Sequence, residues 1–180
     1  MAIKKILGIA LVGLLELTLN QAYGYHTLVN ITGSVKAATC DLTSKESEDI
    51  KLGDIYLSST GFGGNIGSTS EKKDWSITLK CPSDIPVIFI PEGNSYLGHS
   101  SVLALNAEGG SATGVGIETE YFTESGNWKV LELNKRNEII KTVKKDGDIA
   151  ILMRGYYKQM EEKVTSGSAN ASMTIDIVYQ

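Results

Sequence analysis

Apolar residues recur at every second position near the end of this chain of 180 residues. The positions on one side of this last stretch are Ala169, Ala171, Met173, Ile175, Ile177 and Tyr179. The residues between them are polar except for Val178. A period of two places successive side chains on opposite faces of a β-strand, so this stretch is predicted to be a strand with one buried face.

Similar alternation recurs in shorter stretches along the chain. We predict further strands over 27–35, 50–53, 75–81, 87–90, 114–122, 128–133 and 149–157. The glycine-rich stretch Gly61–Ser70 is predicted to be a loop, and only 134–145 has any helical spacing, which suits a strand equally well. Short strands at intervals of roughly ten residues are typical of an antiparallel sandwich. Because no linker interrupts them, we predict one all-β domain.

The first 24 residues have the features of a secretory signal peptide. Lys4 and Lys5 give a basic start, Ile6–Leu15 is apolar, and small residues stand at Ala22 and Gly24. We therefore predict cleavage after Gly24 and export of residues 25–180. A membrane anchor is the alternative, but the apolar run is far shorter than the ~20 residues that a membrane span needs.

Export determines how the two cysteines are interpreted. Cys40 and Cys81 are the only cysteines of the chain, and an oxidising compartment favours pairing them. We predict a Cys40–Cys81 disulfide, with two buried thiols as the alternative. The chain has no C-x-x-C motif, so the sequence does not indicate a redox function.

The composition does not point to catalysis or to nucleic acid. The chain has 17 Lys and Arg against 21 Asp and Glu, and its two His and two Cys are too few for a structural zinc site. Ser70–Lys73 matches S-x-x-K, but the companion motifs of that chemistry are absent, so we interpret it as a solvated charge run. We expect no enzyme activity, no cofactor or metal, no small-molecule substrate and no nucleic-acid partner.

Several segments, taken in order, resemble the subunits of chaperone–usher fimbriae, the type 1 pilin family. The segments are Val29–Val35 followed by Cys40, Ile50–Asp54, Trp75–Pro82, Leu103–Leu105 with Gly114–Ile117, and Val164–Gln180 with its penultimate Tyr179. The resemblance covers essentially all of residues 25–180. The chain departs from the family at Tyr156–Lys158, where Arg-Tyr is usual, and at Ser166, where Ala is usual.

The resemblance implies an incomplete immunoglobulin-like sandwich, the pilin fold, which lacks its last strand. In that family a periplasmic chaperone fills the gap first, and the N-terminal segment of the next subunit fills it later by β-strand addition. Residues 25–36 are then the donor-strand segment. The residues of its donated face are Val29, Ile31, Gly33 and Val35. The alternative is that this segment is the first strand of a complete sandwich.

The resemblance also places an acceptor groove beside the last strand. The residues expected to line it and to bind the chaperone are Met173, Ile175, Ile177, Tyr179 and Gln180, the last through its carboxylate. Expected partners are the periplasmic chaperone, the outer-membrane usher and neighbouring fimbrial subunits. An open strand edge pairs wrongly when it is unescorted, so we expect export through the periplasm to the cell surface to need the chaperone.

Two functions of different classes fit the sequence. The first is a structural fimbrial subunit that supports cell adhesion. Tyr25–Gly33 is short for a major shaft pilin, which favours a minor adaptor and leaves the shaft pilin as an alternative. The second is a free exported module that binds sugar or protein through an exposed aromatic platform. Its candidate residues are Tyr121, Phe122, Trp128, Tyr156 and Tyr157, although alternation places several of these in the core.

Overall fold

The computed structural model of this chain describes residues 32, 38–58 and 61–179. These residues form ten β-strands and no helix, so the all-β prediction is confirmed. No described segment is a helix with the length and apolar character needed to cross a membrane. Four predicted donor residues, together with the predicted signal peptide and Gln180, lie outside the described residues: Val29, Ile31, Gly33 and Val35.

The larger of two sheets has seven strands, and all of its neighbouring strands are antiparallel. Its path runs through β1 (Asp41–Leu42), β2 (Lys73–Cys81), β9 (Gly147–Gln159), β6 (Val115–Phe122), β5 (His99–Ala104) and β4 (Ser95–Tyr96), and β7 (Trp128–Val130) pairs with β6. The predicted strands over 75–81, 114–122 and 149–157 correspond to β2, β6 and β9. The long strand β9 lies between β2 and β6 and is central to the sheet.

The smaller sheet has three antiparallel strands. Their order is β10 (Thr174–Val178), β3 (Val87–Glu92) and β8 (Asn137–Ile140). The pairing of β10 with β3 runs from Thr174 opposite Glu92 to Val178 opposite Ile88. Among the described residues β10 has a strand neighbour on this side alone, so its other edge is open.

The hydrophobic core lies between the two sheets, because side chains from both belong to one buried cluster. Leu79 of β2 and Met153 of β9 contribute from the larger sheet, and Phe89 of β3 contributes from the smaller one; each is 0% exposed. Burial of a side chain of this size contributes about 1.5–3 kcal/mol before chain entropy is subtracted.

The predicted disulfide is present and joins Cys40, the residue before β1, to Cys81 at the end of β2. The two cysteines are 41 positions apart, so the bond closes a long loop. The hydroxyl of Tyr179, just after β10, donates a hydrogen bond to the Cys40 carbonyl at 3.2 Å. The start of β1, the end of β2 and the end of β10 therefore meet at one corner of the domain.

The predicted strand over 50–53 is wrong: within the described part of the chain these residues have no ladder partner, and Gly53 turns the chain with a φ of 84°. The ambiguous stretch 134–145 contains strand β8, because its backbone pairs with β3. The hairpin of β4 and β5, which turns at Leu97 and Gly98, was not predicted.

Candidate functional site

A groove with a volume of about 1190 Å³ runs alongside β10. We call residues 44–55 its first rim and residues 164–177 its second rim. The floor consists of side chains from β2, β6 and β9, chiefly Trp75, Ile77, Ile117, Thr119 and Tyr157. Both the floor and the inward side of β10 are largely apolar.

The period of two in the central strands builds this floor. In β6, Ile117 and Thr119 line the groove, while Glu118 between them belongs to the opposite face of the sheet. In β9, Gly155 lies beneath the indole of Trp75. A Cβ at Gly155 would lie 3.1 Å from two atoms of that ring, so the absence of a side chain lets the indole lie flat on the floor.

The second rim is anchored to both sheets. At its start it is bonded to the larger sheet's loops: the Ala112 N–H donates to the Ser168 carbonyl, and the Asn106 N–H donates to the Asn170 carbonyl, both at 2.8 Å. The Tyr157 hydroxyl also donates to the Ala169 carbonyl at 3.1 Å. The rim then becomes β10 of the smaller sheet. These contacts fix the position of β10 beside the groove.

The structure places three of the five predicted acceptor residues along this rim. Met173, Ile175 and Ile177 line the groove and are partly buried against the core. Asp176 lies between the last two on the exposed side and does not line the groove. Tyr179 packs against the same core but lies beyond the residues that line the groove. Burial, followed by the negative charge of Asp41, raises the pKa of the Tyr179 hydroxyl.

The first rim is held mainly by side chains. The N–H groups of Thr43 and Ser44 donate to the Thr78 carbonyl at 2.9 and 3.2 Å. From Lys45 to Leu57, no backbone hydrogen bond connects the rim to another part of the described chain. Leu52 and Ile55 instead pack against a buried cluster formed by Phe62, Val115 and Tyr157. The backbone donors and acceptors of 45–57 therefore have no backbone partner among the described residues.

All the charges that line the groove lie on the first rim. They are Lys45, Glu46, Glu48, Asp49, Lys51 and Asp54, which are all exposed. The ion pairs found within the described part of the chain involve none of these six residues. The charge of Asp54 reaches the floor, since burial and this carboxylate together raise the pKa of Tyr157.

A second polar constellation lies on the opposite face of the larger sheet. The Tyr156 hydroxyl donates to carboxylate oxygens of Glu118 at 2.5 Å and of Glu120 at 3.1 Å. Lys158 pairs with Glu118 at 2.6 Å. Lys72 pairs with Glu120 at 3.1 Å, and Arg154 also pairs with Glu120. Every buried polar side-chain atom of the described residues has a partner, so this cluster is a satisfied structural network.

The proposed aromatic platform is largely dispersed. Tyr121 is 1% exposed, and Tyr156 and Tyr157 are buried on opposite faces of β9. Phe122 and Trp128 pack edge to face with centroids 5.2 Å apart, and Arg154 lies 4.0 Å from the centroid of the Trp128 ring. No group of three or more His, Cys, Asp or Glu among the described residues could hold a metal ion.

The acceptor residues predicted from the sequence include residues of the second rim but none of the first rim or of the floor. Ile50 and Leu52 carry the signal for the first rim, because their spacing predicts a strand face. Spacing cannot indicate that the neighbouring strand is missing. For the floor, the alternation of Trp75 and Ile77 indicates an inward face but not which part of that face stays uncovered.

Known proteins share the sequence pattern and the fold of this chain. Residues 29–180 match the model of the Fimbrial protein family, so the chain belongs to that family. It is also 30% identical over 178 residues to a type-1 fimbrial protein subunit of Serratia marcescens. The aligned region covers 92% of this chain and 93% of the relative.

Solved structures show the same fold. The chain is similar to the P pilus rod subunit PapA, with a TM-score of 0.57 and 21% identity over 78% of this chain and 99% of that one. It is also similar to a chain of a chaperone–usher pilus studied for the uncoiling of its rod, with a TM-score of 0.59 and 22% identity over 91% of this chain and 99% of that one. These similarities confirm the predicted pilin fold. The family match and the Serratia marcescens relative confirm the resemblance to type 1 fimbrial subunits.

Proposed function

We propose that this chain is a fimbrial subunit that joins its neighbours by β-strand addition and that the groove is its acceptor site. The observation that carries the proposal is the edge of β10 that is open among the described residues, beside an apolar floor and facing a first rim that has no backbone partner in the described chain from Lys45 onward. Open strand edges recruit an added strand. The periplasmic chaperone supplies that strand first, and a neighbouring subunit replaces it at the outer-membrane usher, on the way to the surface fimbria.

The exposed parts of the groove are sufficient to drive such binding. An added strand covers the half-buried side chains of Met173, Ile175 and Ile177 as well as parts of the floor. Each side chain that becomes fully buried contributes up to about 1.5–3 kcal/mol. Each new backbone hydrogen bond contributes about 0.5–1.5 kcal/mol. Several such side chains and several such hydrogen bonds together outweigh an association cost of about 4–15 kcal/mol.

Residues 25–36 form the donor strand in this proposal. Their alternating face, formed by Val29, Ile31, Gly33 and Val35, enters the groove of the preceding subunit. Gly33 passes a crowded point where no side chain fits. Deleting residues 25–35 is expected to preserve folding with the chaperone and to abolish joining to the preceding subunit in a purified usher assay. Continued polymerisation of the truncated chain contradicts the donor assignment.

Within the fibre we assign the chain to a minor adaptor position. The support is the short segment from Tyr25 to Gly33, since shaft subunits of the family carry a longer one. Immunogold labelling of intact fimbriae is expected to place this subunit at the tip. Labelling along the whole shaft identifies it as the major pilin instead.

The acceptor site is tested with two charge substitutions at neighbouring positions of the same strand. Ile177→Asp places a charge in the groove, whereas Asp176→Lys changes the charge at an exposed residue of β10 that does not line the groove. We expect the first variant to be degraded in the periplasm, with little chaperone complex recovered, because a charged side chain opposes burial by the added strand. The second variant is expected to co-purify with the chaperone at nearly the wild-type level. Equal recovery of the two variants contradicts the acceptor assignment.

A further inference from the structure

The two rims of the groove differ in charge. The first rim carries two lysines, at positions 45 and 51, and four carboxylates, Glu46, Glu48, Asp49 and Asp54, which gives it a net charge of −2. The second rim presents hydroxyl, amide and apolar side chains to the groove. Its one charged residue, Asp176, is exposed and does not line the groove. A strand that lies between the rims therefore has an acidic edge on one side and a neutral edge on the other.

We infer that the groove selects an extended segment that carries Lys or Arg at one or both ends and no acidic residue facing the first rim. This inference rests on the proposed acceptor function and adds the chemical class of the strand. An apolar floor accepts many alternating segments alike, so it discriminates poorly between them. Complementary charge along an interface governs the association rate and disfavours segments of the wrong sign.

The acidic charge of the first rim is available to a ligand. None of its four carboxylates pairs with a cation elsewhere in the described chain, and its two lysines offset only half of them. The charged residues of the rim are all exposed, so their field acts on an approaching segment over about 10 Å at ordinary ionic strength. A cationic segment is attracted before it contacts the apolar floor.

The predicted donor segment of this chain has the selected charge. Residues 25–36 contain Lys36 and His26 and have no Asp or Glu. A second copy of this chain, or a subunit with a similar segment, is therefore a compatible occupant. An equally apolar segment with glutamates at its ends is rejected.

The experiment uses the full exported chain, residues 25–180, in which Trp128→Phe leaves Trp75 of the groove floor as the only tryptophan. The chain is diluted from mild denaturant into excess synthetic peptide, and the fluorescence of Trp75 reports entry into the groove. The peptides have the sequence Leu28–Val35 with two lysines, two glutamines or two glutamates at each end. At low salt we expect the lysine peptide to enter about tenfold faster than the glutamate peptide. At high salt the difference should fall below about twofold.

Two protein variants assign the effect to the first rim. Glu48→Gln with Asp49→Asn neutralises the rim and is expected to bring the rates of the three peptides together. Asp148→Asn with Glu162→Gln removes the same charge from exposed positions outside the groove and should leave the difference intact. Equal rates for all peptides on the unchanged rim overturn the inference, and so does a rate difference that persists after the rim is neutralised. If no peptide enters the groove, the proposed acceptor function fails as well.

Discussion

Replacement of Tyr156 by phenylalanine tests the buried network on the sheet face opposite the groove. The substitution removes one hydroxyl and keeps the ring, which lies beneath the Lys72 ammonium at 4.4 Å. The lost hydroxyl donates to Glu118 at 2.5 Å and lies 3.1 Å from an oxygen of Glu120. These glutamates are only 5% and 9% exposed, so water can replace the lost donor only poorly.

The magnitude follows from the charge of the acceptors. A hydrogen bond to a charged group contributes about 1.5–3 kcal/mol, whereas a neutral one contributes about 0.5–1.5 kcal/mol. Lys158 and the two cations at Glu120 remain as partners, so we expect Tyr156→Phe to cost about 2 kcal/mol. Tyr121→Phe is the matched control, because the Tyr121 hydroxyl donates to a neutral carbonyl, that of Glu138, at 3.3 Å. We expect the control to cost less than about 1 kcal/mol.

The assay is urea unfolding of the exported chain with its groove saturated by the Leu28–Val35 peptide. Both variants are compared at one peptide concentration, so the contribution of binding is the same for each. An unchanged m-value with a lower midpoint is expected, together with a fall in Tm of about 4–8 °C for Tyr156→Phe. If Tyr156→Phe loses no more stability than Tyr121→Phe, the charged acceptors do not strengthen this hydrogen bond and the reasoning fails.

Four further outcomes are expected. Replacing Cys40 and Cys81 together by serine should lower the unfolding free energy by about 4 kcal/mol, because the unfolded chain gains the entropy of the open loop; denaturant unfolding measures this loss. Gly167→Ala should destabilise the second rim and weaken peptide entry, since its Cβ would lie 2.3 Å from the Gly110 carbonyl oxygen; Gly109→Ala, which meets open space, is the control. Burial raises the pKa of Glu120, but the hydrogen bonds from Arg154, Lys72 and Tyr156 together lower it by more. The pKa of this carboxyl group is therefore below its ordinary value. The stability from Glu120 should therefore be present above the unfolded-state pKa and lost as pH falls through the folded one, and Glu120→Gln should flatten the acid side of a stability–pH curve. Burial and the hydrogen bond to Glu161 raise the pKa of Tyr96 to about 12. The stability that Tyr96 contributes is therefore complete below about pH 10 and is lost as pH rises through the folded pKa. An absorbance titration of the wild type shows this ionisation, and the same titration of Tyr96→Phe should lack it.

The strands that sequence predicts well are those whose two faces have different surroundings. β2 and β6 alternate because one face meets the core or the groove and the other meets the outer surface. Ile50 and Leu52 alternate as well, but a strand also needs a hydrogen-bonded neighbour, and a single sequence does not reveal whether one is present. The prediction of a strand at 50–53 failed for this reason.

The network around Tyr156 lay beyond sequence analysis for a different reason. Glu118 and Tyr156 are 38 positions apart and meet only because β6 and β9 pair in one particular register. A shift of that register by one residue would move one of the two side chains to the opposite face of the sheet and separate them. The disulfide was easier to predict, since two cysteines in an exported chain allow only one intramolecular pairing.

The corner where Cys40, Cys81 and Tyr179 meet determines how the domain carries tension. A pull on the chain upstream of Cys40 reaches the disulfide before it reaches β1. The Tyr179 hydroxyl on the Cys40 carbonyl places the end of β10 at the same corner, so the load passes close to the strand that faces the groove. The 41 positions between the cysteines cannot be drawn out while the bond is intact. In a single-molecule stretching experiment, the reduced domain should therefore extend about 140 Å further on unfolding than the oxidised one, at about 3.4 Å per residue.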